Sequence, residues 1–195
     1  QKHILINHKK ISKFAISIIK ELNKNDYQGY LVGGCVRDLL CSLEPKDFDI
    51  ATDATPDQIR KIFKASRIIG KRFKLVHVFN RTELIEVATF RSGEDQNNNG
   101  NLIKDQSGKI IRDNIWGSLE QDSHRRDFTV NSIYYSPLSK KFVGHKDGMS
   151  DIHKKNIVSI GDPKKRFSED PVRCLRAIRF SNKLNFKIDG KIKDA

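Results

Sequence analysis

The stretch from Tyr30 to Ile50 reads YLVGGCVRDLLCSLEPKDFDI and decides how we expect the chain to fold. Its short apolar run ends in Gly33-Gly34, and a compact helical segment follows. Paired glycines after a strand let the backbone approach a ligand closely, and the start of a helix favours a phosphate. The stretch therefore predicts a strand, turn and helix that bind a phosphate group at the glycines.

Two carboxylates close this stretch, Asp47 and Asp49. On a strand, their spacing places both on one face, with Phe48 and Ile50 on the other. Neighbouring carboxylates repel unless a cation lies between them, and Mg²⁺ favours one or two carboxylates together with substrate phosphate oxygens. A lone pair of this kind is usually a surface feature, but the preceding glycine turn favours a two-metal nucleotidyl-transfer site.

A third acidic residue is expected at such a site, to hold a metal or to help deprotonate the attacking hydroxyl. Glu86 lies between apolar residues on a predicted strand that could pair beside Asp47 and Asp49. Asp127 follows Arg125-Arg126. Glu86 could instead be an exposed strand residue, and Asp127 a helix cap paired with the arginines, so both candidates stay open.

The composition bounds the partners. The chain has 195 residues and a formal net charge of +13, which suits one large domain or one domain with an appendage. The excess of lysine and arginine favours a polyanion, and nucleic acid fits better than a membrane because the chain has no strongly apolar amphipathic anchor. The alternative is a lysine-rich surface without a function. No signal peptide or membrane-spanning run is recognised, so we expect a cytoplasmic location.

The cysteines have no metal-ligand spacing. Cys35, Cys41 and Cys174 read as reduced, mostly buried thiols. His77 alternates within an apolar strand and reads as a packed residue. Tyr134 and Tyr135 could stack on bases, as could Trp116, but core packing is the better interpretation.

Hydrophobic periodicity predicts an α+β domain, with helices on a small mixed or antiparallel sheet. A helix is expected from Ile11 to Leu22, and Thr55-Pro56-Asp57-Gln58 has the pattern of a capped helix start. Strands are expected at 67–69, 73–79, 83–90, 142–143 and 157–160, with a turn at 147–148. Residues 92–108 are polar and rich in Asn and Gly, and predict a mobile loop.

A second stretch with candidate functional residues begins at Ser168, which we expect to cap a helix reaching about Leu184. Arg173, Arg176 and Arg179 form one stripe of this helix. Asp170 and Arg173 are three apart and therefore neighbours. An acceptor and donors side by side can read the Watson–Crick edge of a base, whereas the alternative is a solvated face of ion pairs. A second, apolar stripe has the same spacing: Val172, Leu175 and Ile178.

These motifs together resemble a known family. LVGGCVRDLL with KDFDI, RRDFTVN at 125–131 and EDPVRCLRAIRF at 169–180 are similar to motifs of the class II tRNA nucleotidyltransferase/poly(A) polymerase family. The segment IIGKRFKLVHV at 68–78 is similar to a signature of the bacterial poly(A) polymerase branch, as are 112–120 and 131–135. The closest rival is the CCA-adding branch, with the same chemistry but CTP and ATP as substrates. A catalytically inactive RNA-binding homologue is the rival from another class.

The resemblance implies ATP-dependent, template-free addition of AMP to RNA 3′ ends, with two Mg²⁺ ions. It implies a head domain over 1–160, the start of a helical neck over 161–195, and a monomer as the simplest oligomeric state. Asp47 and Asp49 would hold the metals, with Asp127 as the third acidic residue. Triphosphate or sugar would contact Gly33, Gly34, Arg37, Asp38, Arg125 and Arg126, and the base would contact Asp170, Arg173 and Arg176.

The chain departs from this family at two places in the first motif. Ser42 stands where the family commonly has glycine, and Cys35 stands where a smaller residue is common. Neither position belongs to the carboxylates, so we expect both to be tolerated. The helical body and tail of the family are not recognised in this sequence, which puts RNA grip and processivity in doubt for this chain.

Overall fold

The computed structural model describes residues 6–70, 73–92, 102–104, 110–113 and 116–195. Its α-helices are α1 Lys13–Lys24, α2 Gly34–Leu40, α3 Pro56–Ile62, α4 Leu119–Arg125, α5 Gly148–Lys154, α6 Pro163–Glu169, α7 Val172–Leu184 and α8 Gly190–Lys193. Its strands are β1 Gly29–Val32, β2 Asp49–Thr52, β3 Ser66–Ile69, β4 Leu75–Phe79, β5 Leu84–Thr89, β6 Leu102–Lys104, β7 Ile110–Asp113, β8 Ile133–Ser136, β9 Lys141–Gly144, β10 Asn156–Ile157 and β11 Lys187–Ile188.

The main sheet has seven strands in the order β3-β4-β5-β2-β1-β8-β9. Strands β2 and β5 run parallel, and the other neighbouring pairs are antiparallel. The predicted α+β class, with helices on a mixed sheet, is confirmed. Because β2 lies between β1 and β5, the strand that begins at Asp49 lies between the strand before the glycine turn and the strand that carries Glu86.

Both faces of the sheet are covered. The larger apolar cluster includes the buried residues of α1, which are Ala15, Ile18, Ile19 and Leu22. Their spacing is the helical one that the sequence shows, so this helix is confirmed. A smaller cluster on the other face contains Val32, Ala51, Phe90 and Tyr134. Tyr134 and Tyr135 are both buried, as the core interpretation predicts.

Local sequence signals set several helix starts. Helix α3 begins with the predicted capping box, in which Thr55 accepts from the backbone of Gln58 and the Gln58 side chain accepts from the backbone of Thr55. The strands predicted at 67–69, 73–79 and 83–90 are confirmed as β3, β4 and β5. Strand β5 does pair beside β2, as expected for a strand that carries Glu86.

The helix that was predicted to start at Ser168 begins later in the structure. Ser168 lies inside α6, and α7 begins at Val172 after Pro171. Asp162 caps α6 with Pro163 at its first position, and the chain then turns at 170–171 because proline disfavours a helical residue before it. The predicted strand at 157–160 is shorter, as β10 Asn156–Ile157, and the predicted turn at 147–148 starts a helix, α5.

Neither stripe of α7 is buried as a whole, since Arg176 and Arg179 are exposed and Arg173 is half-buried. The apolar stripe is exposed, with Val172, Leu175 and Ile178 each at least 49 % accessible to solvent. Of the loop predicted at 92–108, residues 93–101 and 105–109 lie outside the described residues, while 102–104 pair with 110–113 as an antiparallel ribbon. Within the part of the chain that the structure describes, no helix is long and apolar enough to cross a membrane.

The three thiols differ in environment. All are free; Cys35 is buried, Cys41 is half-buried and Cys174 is exposed, so the prediction of mostly buried thiols is wrong for Cys174. Burial raises the pKa of the Cys35 thiol to about 12. The buried Cys35 thiol has a hydrogen-bond partner, because it donates to the carbonyl oxygen of Val32 at 3.3 Å.

Candidate active site

The site begins with a parallel strand pair that brings carboxylates together. Asp49 is the first residue of β2, and its Cα partner on β5 is Glu86. Asp47 lies in a bend just before β2, so the expectation that both aspartates lie on the strand is wrong for Asp47. Asp47 is exposed and Asp49 is half-buried. The register therefore gathers three carboxylates at the start of one strand.

The environment of Asp49 reflects this crowding. Its pKa is raised to about 6, first by burial and then by the negative charge of Glu86; Asp47 adds a smaller effect of the same sign. The guanidinium of Arg126 opposes the rise. His77, opposite Glu86 on β4, places its Nε2 atom 3.3 Å from a Glu86 carboxylate oxygen. A cation at this place would relieve the repulsion between the carboxylates.

A metal ion at this site would need ligands in addition to the protein side chains. Among the described ranges, no group of three or more His, Cys, Asp or Glu side chains is arranged to hold a metal ion. Mg²⁺ does not require such a cage, because it retains waters and takes phosphate oxygens from a bound nucleotide. The hard oxygen donors of Asp47 and Asp49, together with the raised pKa of Asp49, fit that requirement.

Asp127 has a different set of partners. One of its oxygens accepts from the backbone N–H of Phe128 at 2.8 Å and from the side chain of Asn131 at 3.2 Å. The other accepts from Nε of Arg176 at 2.7 Å. Glu86, Arg126 and Asp47 are the charges that act on Asp49. The structure thus places Glu86 beside Asp49 and pairs Asp127 with α7.

The glycine turn lies next to the carboxylates. Gly33 precedes α2 with φ 73° and ψ −133°, a conformation essentially restricted to glycine. A Cβ atom placed on Gly33 would lie 3.6 Å from Nη1 of Arg126. Gly34 then starts the helix. The predicted strand–turn–helix unit is confirmed, and the guanidinium of Arg126 lies next to Gly33 in its turn.

Arg126 is held by a buried network. Asp122, 1 % accessible, accepts from Nε and Nη2 of Arg125 at 2.8 and 2.6 Å, and from Nη2 of Arg126 at 3.2 Å. The Tyr134 hydroxyl donates to Asp122 and accepts from Nε of Arg126 at 2.9 Å. Asp122 was not among the predicted site residues. Its spacing of three and four residues from the two arginines on a helix is the signal that could have identified it.

Arg37 and Asp38 lie deeper than a ligand contact requires. Nε and Nη2 of Arg37 donate to one oxygen of Asp38 at 2.9 and 2.6 Å, and Nη1 donates to Asn131 at 2.7 Å. Arg37 is 3 % accessible. The other oxygen of Asp38 accepts from Lys183 on α7 at 2.9 Å. These two residues join α2 to α7 in this structure, and the predicted contacts with triphosphate or sugar stay a prediction.

The base-reading candidates lie around the start of α7. Asp170 ends α6, and its carboxylate lies 3.8 Å from Nε of Arg173. Nη1 of Arg173 is buried and has no hydrogen-bond partner among the described residues; the Glu169 carboxylate is 3.8 Å away. Arg176 bonds Asp127 instead, and its guanidinium lies 5.2 Å from the centre of the Phe180 ring. Arg173 is thus the arginine of this stripe with a buried donor to spare.

Comparison with known proteins identifies the family that contains this arrangement of residues. Residues 29–158 match the family described as the poly A polymerase head domain. The chain belongs to this family. The turn at Gly33, the pair at 47 and 49, and the arginines at 125 and 126 all lie within the matched head domain.

Individual relatives fall in two named groups. The chain is 49 % identical to poly(A) polymerase I of Salmonella typhi over 185 residues, which cover 94 % of this chain and 40 % of that protein. It is 37 % identical to the CCA-adding enzyme of Bacillus pumilus over 181 residues, covering 93 % of this chain and 43 % of that one. The chain therefore spans less than half of the length of these relatives.

A solved structure shares the fold. The Bacillus stearothermophilus CCA-adding enzyme in complex with CTP has a TM-score of 0.75 and 33 % sequence identity, over 92 % of this chain and 41 % of that one. The match extends past the head domain into the helices after residue 160. Within residues 29–158, the sheet and the helices of this chain are therefore those of the poly A polymerase head domain.

Proposed function

We propose that this chain is the catalytic part of a template-independent enzyme that uses ATP to add AMP residues to RNA 3′ ends. The observation that carries the proposal is the register of β2 and β5, which sets Asp49 beside Glu86, with Asp47 just before the strand. The identity of 49 % to a poly(A) polymerase I supports the choice of AMP. Within the chain we propose a head over residues 1–160 and the start of a helical neck over 161–195.

The reaction is an in-line displacement at the α-phosphate of ATP. The RNA 3′-oxygen forms a bond to that phosphorus, the bond to the bridging oxygen of the β-phosphate breaks, and pyrophosphate leaves with the electron pair. Two Mg²⁺ ions held by Asp47 and Asp49 would neutralise the carboxylates and stabilise the attacking and leaving oxygens.

The proton of the attacking hydroxyl needs an acceptor. Glu86 is the carboxylate beside Asp49, and half of its side chain is exposed, so a substrate hydroxyl can reach it. Asp127 is the alternative that the family resemblance implies, although its oxygens already accept from Arg176 and Asn131. We propose both as candidates for the third acidic role, with Glu86 favoured by its position.

The nucleotide would lie between the glycine turn and α7. Gly33, Gly34 and Arg126 would contact the triphosphate, with Arg125, Arg37 and Asp38 behind them. Asp170 and Arg173 would face the base, and the spare Nη1 donor of Arg173 supports that role because a buried unpaired donor costs roughly 1–3 kcal/mol until it is satisfied. Arg176 would hold α7 against Asp127 while the base is read.

A second candidate is CCA addition, because CCA-adding enzymes are also related to this chain and one of them shares its fold. Feeding experiments separate the two. The longest natural protein that contains this chain is given a generic RNA primer or a tRNA lacking its CCA end, with Mg²⁺ and each nucleoside triphosphate separately. A long ladder with ATP alone supports the proposal. A short, defined addition that needs CTP and the trimmed tRNA transfers the protein to the CCA branch.

Failure of every addition would favour a third reading, an RNA-binding homologue without activity. The net charge of +13 would then account for RNA binding alone. An RNA-binding titration in the same buffer distinguishes this outcome from an inactive preparation, because a folded but inactive homologue would still bind the primer and lose it as salt rises.

A further inference from the structure

We propose that Asp122 and Tyr134 are positioning residues that fix the guanidinium of Arg126 over the Gly33 turn, where its free edge binds the polyphosphate of the nucleotide. Neither residue contacts the proposed ligand. The inference deepens the proposed function and rests on it for the identity of the ligand as a nucleoside triphosphate.

The first step is the charge balance of the network. Asp122 is a single carboxylate, buried to 1 % exposure, and two arginines meet it. Arg125 approaches Oδ1 in a fork, with both contacts below 2.9 Å, whereas Arg126 reaches Oδ2 through one nitrogen at 3.2 Å. One carboxylate neutralises one guanidinium. The network therefore keeps one surplus positive charge, on the more weakly bound Arg126.

The second step is the orientation of Arg126. Its Nε donates to the Tyr134 hydroxyl at 2.9 Å and its Nη2 to Asp122, so two of its three nitrogens are fixed. Nη1 remains, and no described residue accepts from it. This atom lies 3.6 Å from the place of a Cβ on Gly33. The unused edge of the guanidinium therefore faces the turn whose backbone only glycine tolerates.

The third step is the role of Tyr134. Its hydroxyl donates to the carboxylate of Asp122 and accepts from Arg126, so it links the anion and the cation. Tyr134 lies on β8, and its ring is fully buried within the smaller apolar cluster. Burial and the charge of Asp122 raise the pKa of this hydroxyl, so it remains a donor at neutral pH. A fixed donor and acceptor of this kind limits the rotation of Arg126.

The geometry identifies the ligand by its charge. Nη1 of Arg126 lies 3.6 Å from the place of a Cβ on Gly33, and Arg126 also acts on Asp49 as a neighbouring positive charge, so the surplus cation is near both the glycine turn and this carboxylate. An anion that bridges a metal at Asp49 and the free edge of Arg126 satisfies both. A polyphosphate chain fits this span, since planar guanidinium edges bind phosphate oxygens with two donors.

The test compares two neighbouring tyrosines. Tyr134→Phe removes the hydroxyl that bonds Arg126 and leaves the ring in place. Tyr135→Phe is the matched control, because Tyr135 is buried on the same strand and its hydroxyl bonds His8 at 2.6 Å on the other face of the sheet. Binding of tripolyphosphate, ATP and AMP to the chain is measured by calorimetry at one fixed Mg²⁺ concentration.

We expect Tyr134→Phe to weaken tripolyphosphate and ATP about tenfold, the effect of losing one hydrogen bond to a charged group. AMP, with a single phosphate, should change less than twofold, and Tyr135→Phe should change none of the three. In an Arg126→Lys background, Tyr134→Phe should have no further effect on binding. Lysine lacks the Nε–H of arginine, from which the Tyr134 hydroxyl accepts its hydrogen bond. In the transfer reaction, the KM for ATP should rise more than kcat falls.

Several results would overturn the inference. Unchanged tripolyphosphate binding by Tyr134→Phe would do so, as would equal weakening of AMP and tripolyphosphate, which indicates a general loss of structure. A wild-type chain that does not bind tripolyphosphate would also overturn it. If binding behaves as expected and no nucleotide is transferred to RNA, the proposed function fails and the positioning role stands.

Discussion

Asp49 on β2 and Glu86 on β5 are direct neighbours across a parallel strand pair, in a sheet whose other neighbouring pairs are antiparallel. The parallel pair is what sets the first residue of β2 beside the middle of β5. Burial and the charge of Glu86 together raise the pKa of Asp49 to about 6. The carboxylates of the candidate site therefore repel one another, and a bound cation would reduce this repulsion.

The first prediction concerns this repulsion. In buffer with EDTA at pH 7.5, Asp49→Asn should raise the melting temperature by roughly 2–4 °C, the shift that about 1 kcal/mol produces in a chain of this size. The reason is that the substitution removes a half-buried charge next to Glu86 and Asp47. Thermal unfolding with and without MgCl₂ provides the measurement.

The control for this prediction is Asp57→Asn, on the exposed first turn of α3. It should not stabilise the chain, because Asp57 lies at a helix N-terminus where a negative charge is favourable. Adding MgCl₂ should stabilise the wild-type chain more than Asp49→Asn. An Asp49→Asn variant that melts at or below the wild-type temperature without metal would contradict the charge crowding.

The second prediction concerns Asp122. Burial alone would raise its pKa, but the guanidinium groups of Arg126 and Arg125 and the hydroxyl of Tyr134 outweigh it, so the pKa is lowered. A lowered pKa stabilises the fold above the unfolded value near pH 4, and that contribution is lost as the pH falls through the folded value. Asp122→Asn should reduce the free energy of unfolding by about 3 kcal/mol at pH 7.

Urea unfolding of both proteins at pH 7 and at pH 3.5 measures this difference. We expect the gap between wild type and Asp122→Asn to narrow at the lower pH, because below about pH 4 the unfolded wild-type chain binds a proton at Asp122 more readily than the folded chain does, and this lowers the free energy of unfolding of the wild type. A gap of the same size at both values would mean that the loss comes from packing rather than from the ion pairs.

Third, Ser42 is strained. The family resemblance places glycine at this position, and the sequence analysis expects serine to be tolerated there. Ser42 has φ 61°, in the left-handed region that costs a non-glycine residue roughly 1–2 kcal/mol. Ser42→Gly should therefore raise the melting temperature by a few degrees, after the added freedom of the unfolded chain is subtracted.

Ser17→Gly is a suitable comparison, because Ser17 lies inside α1, where glycine is less favourable than other residues by about 1 kcal/mol. Differential scanning calorimetry of the two variants should show shifts of opposite sign. Two shifts in the same downward direction would show that the backbone at residue 42 is not under strain.

The fourth prediction concerns nucleotide choice. Arg173→Ala should reduce the preference for ATP over CTP about tenfold, because it removes the buried donor that the proposed base contact would satisfy. RNA binding should weaken much less. Arg179→Ala is the matched control, since Arg179 is an exposed arginine of the same helix. Competition between labelled ATP and CTP in single additions measures the ratio, and an unchanged ratio would remove Arg173 from base reading.

Local sequence patterns predict a large part of this site. The glycine turn, the helix after it and the capping box at Thr55 follow from residue types at fixed spacing. The turn, the helix and the capping box depend on residues close in sequence, so local patterns are sufficient to find them. The sequence indicates only that the Glu86 strand could pair beside Asp47 and Asp49, and the structure shows that β5 does pair with β2.

Contacts between distant segments could not be predicted in this way. Arg37 bonds Asn131, 94 positions away, and Asp38 bonds Lys183, 145 positions away. Nothing local shows that Arg37 is buried with its donors already satisfied. The late start of α7 is different, because its causes are local: Asp162 caps α6 with Pro163 at its first position, and Pro171 follows that helix.

We infer that the carboxylates around Asp49 carry nucleotidyl transfer. The most direct measurement is the rate of a single AMP addition to a labelled RNA primer by the longest natural protein that contains this chain, as wild type, Asp49→Asn and Asp57→Asn, all at equal folded concentration. We predict transfer with ATP and Mg²⁺ for wild type and Asp57→Asn, and a loss of at least a thousandfold for Asp49→Asn. Transfer by Asp49→Asn at the wild-type rate would show that the Asp49 carboxylate is not required for the reaction.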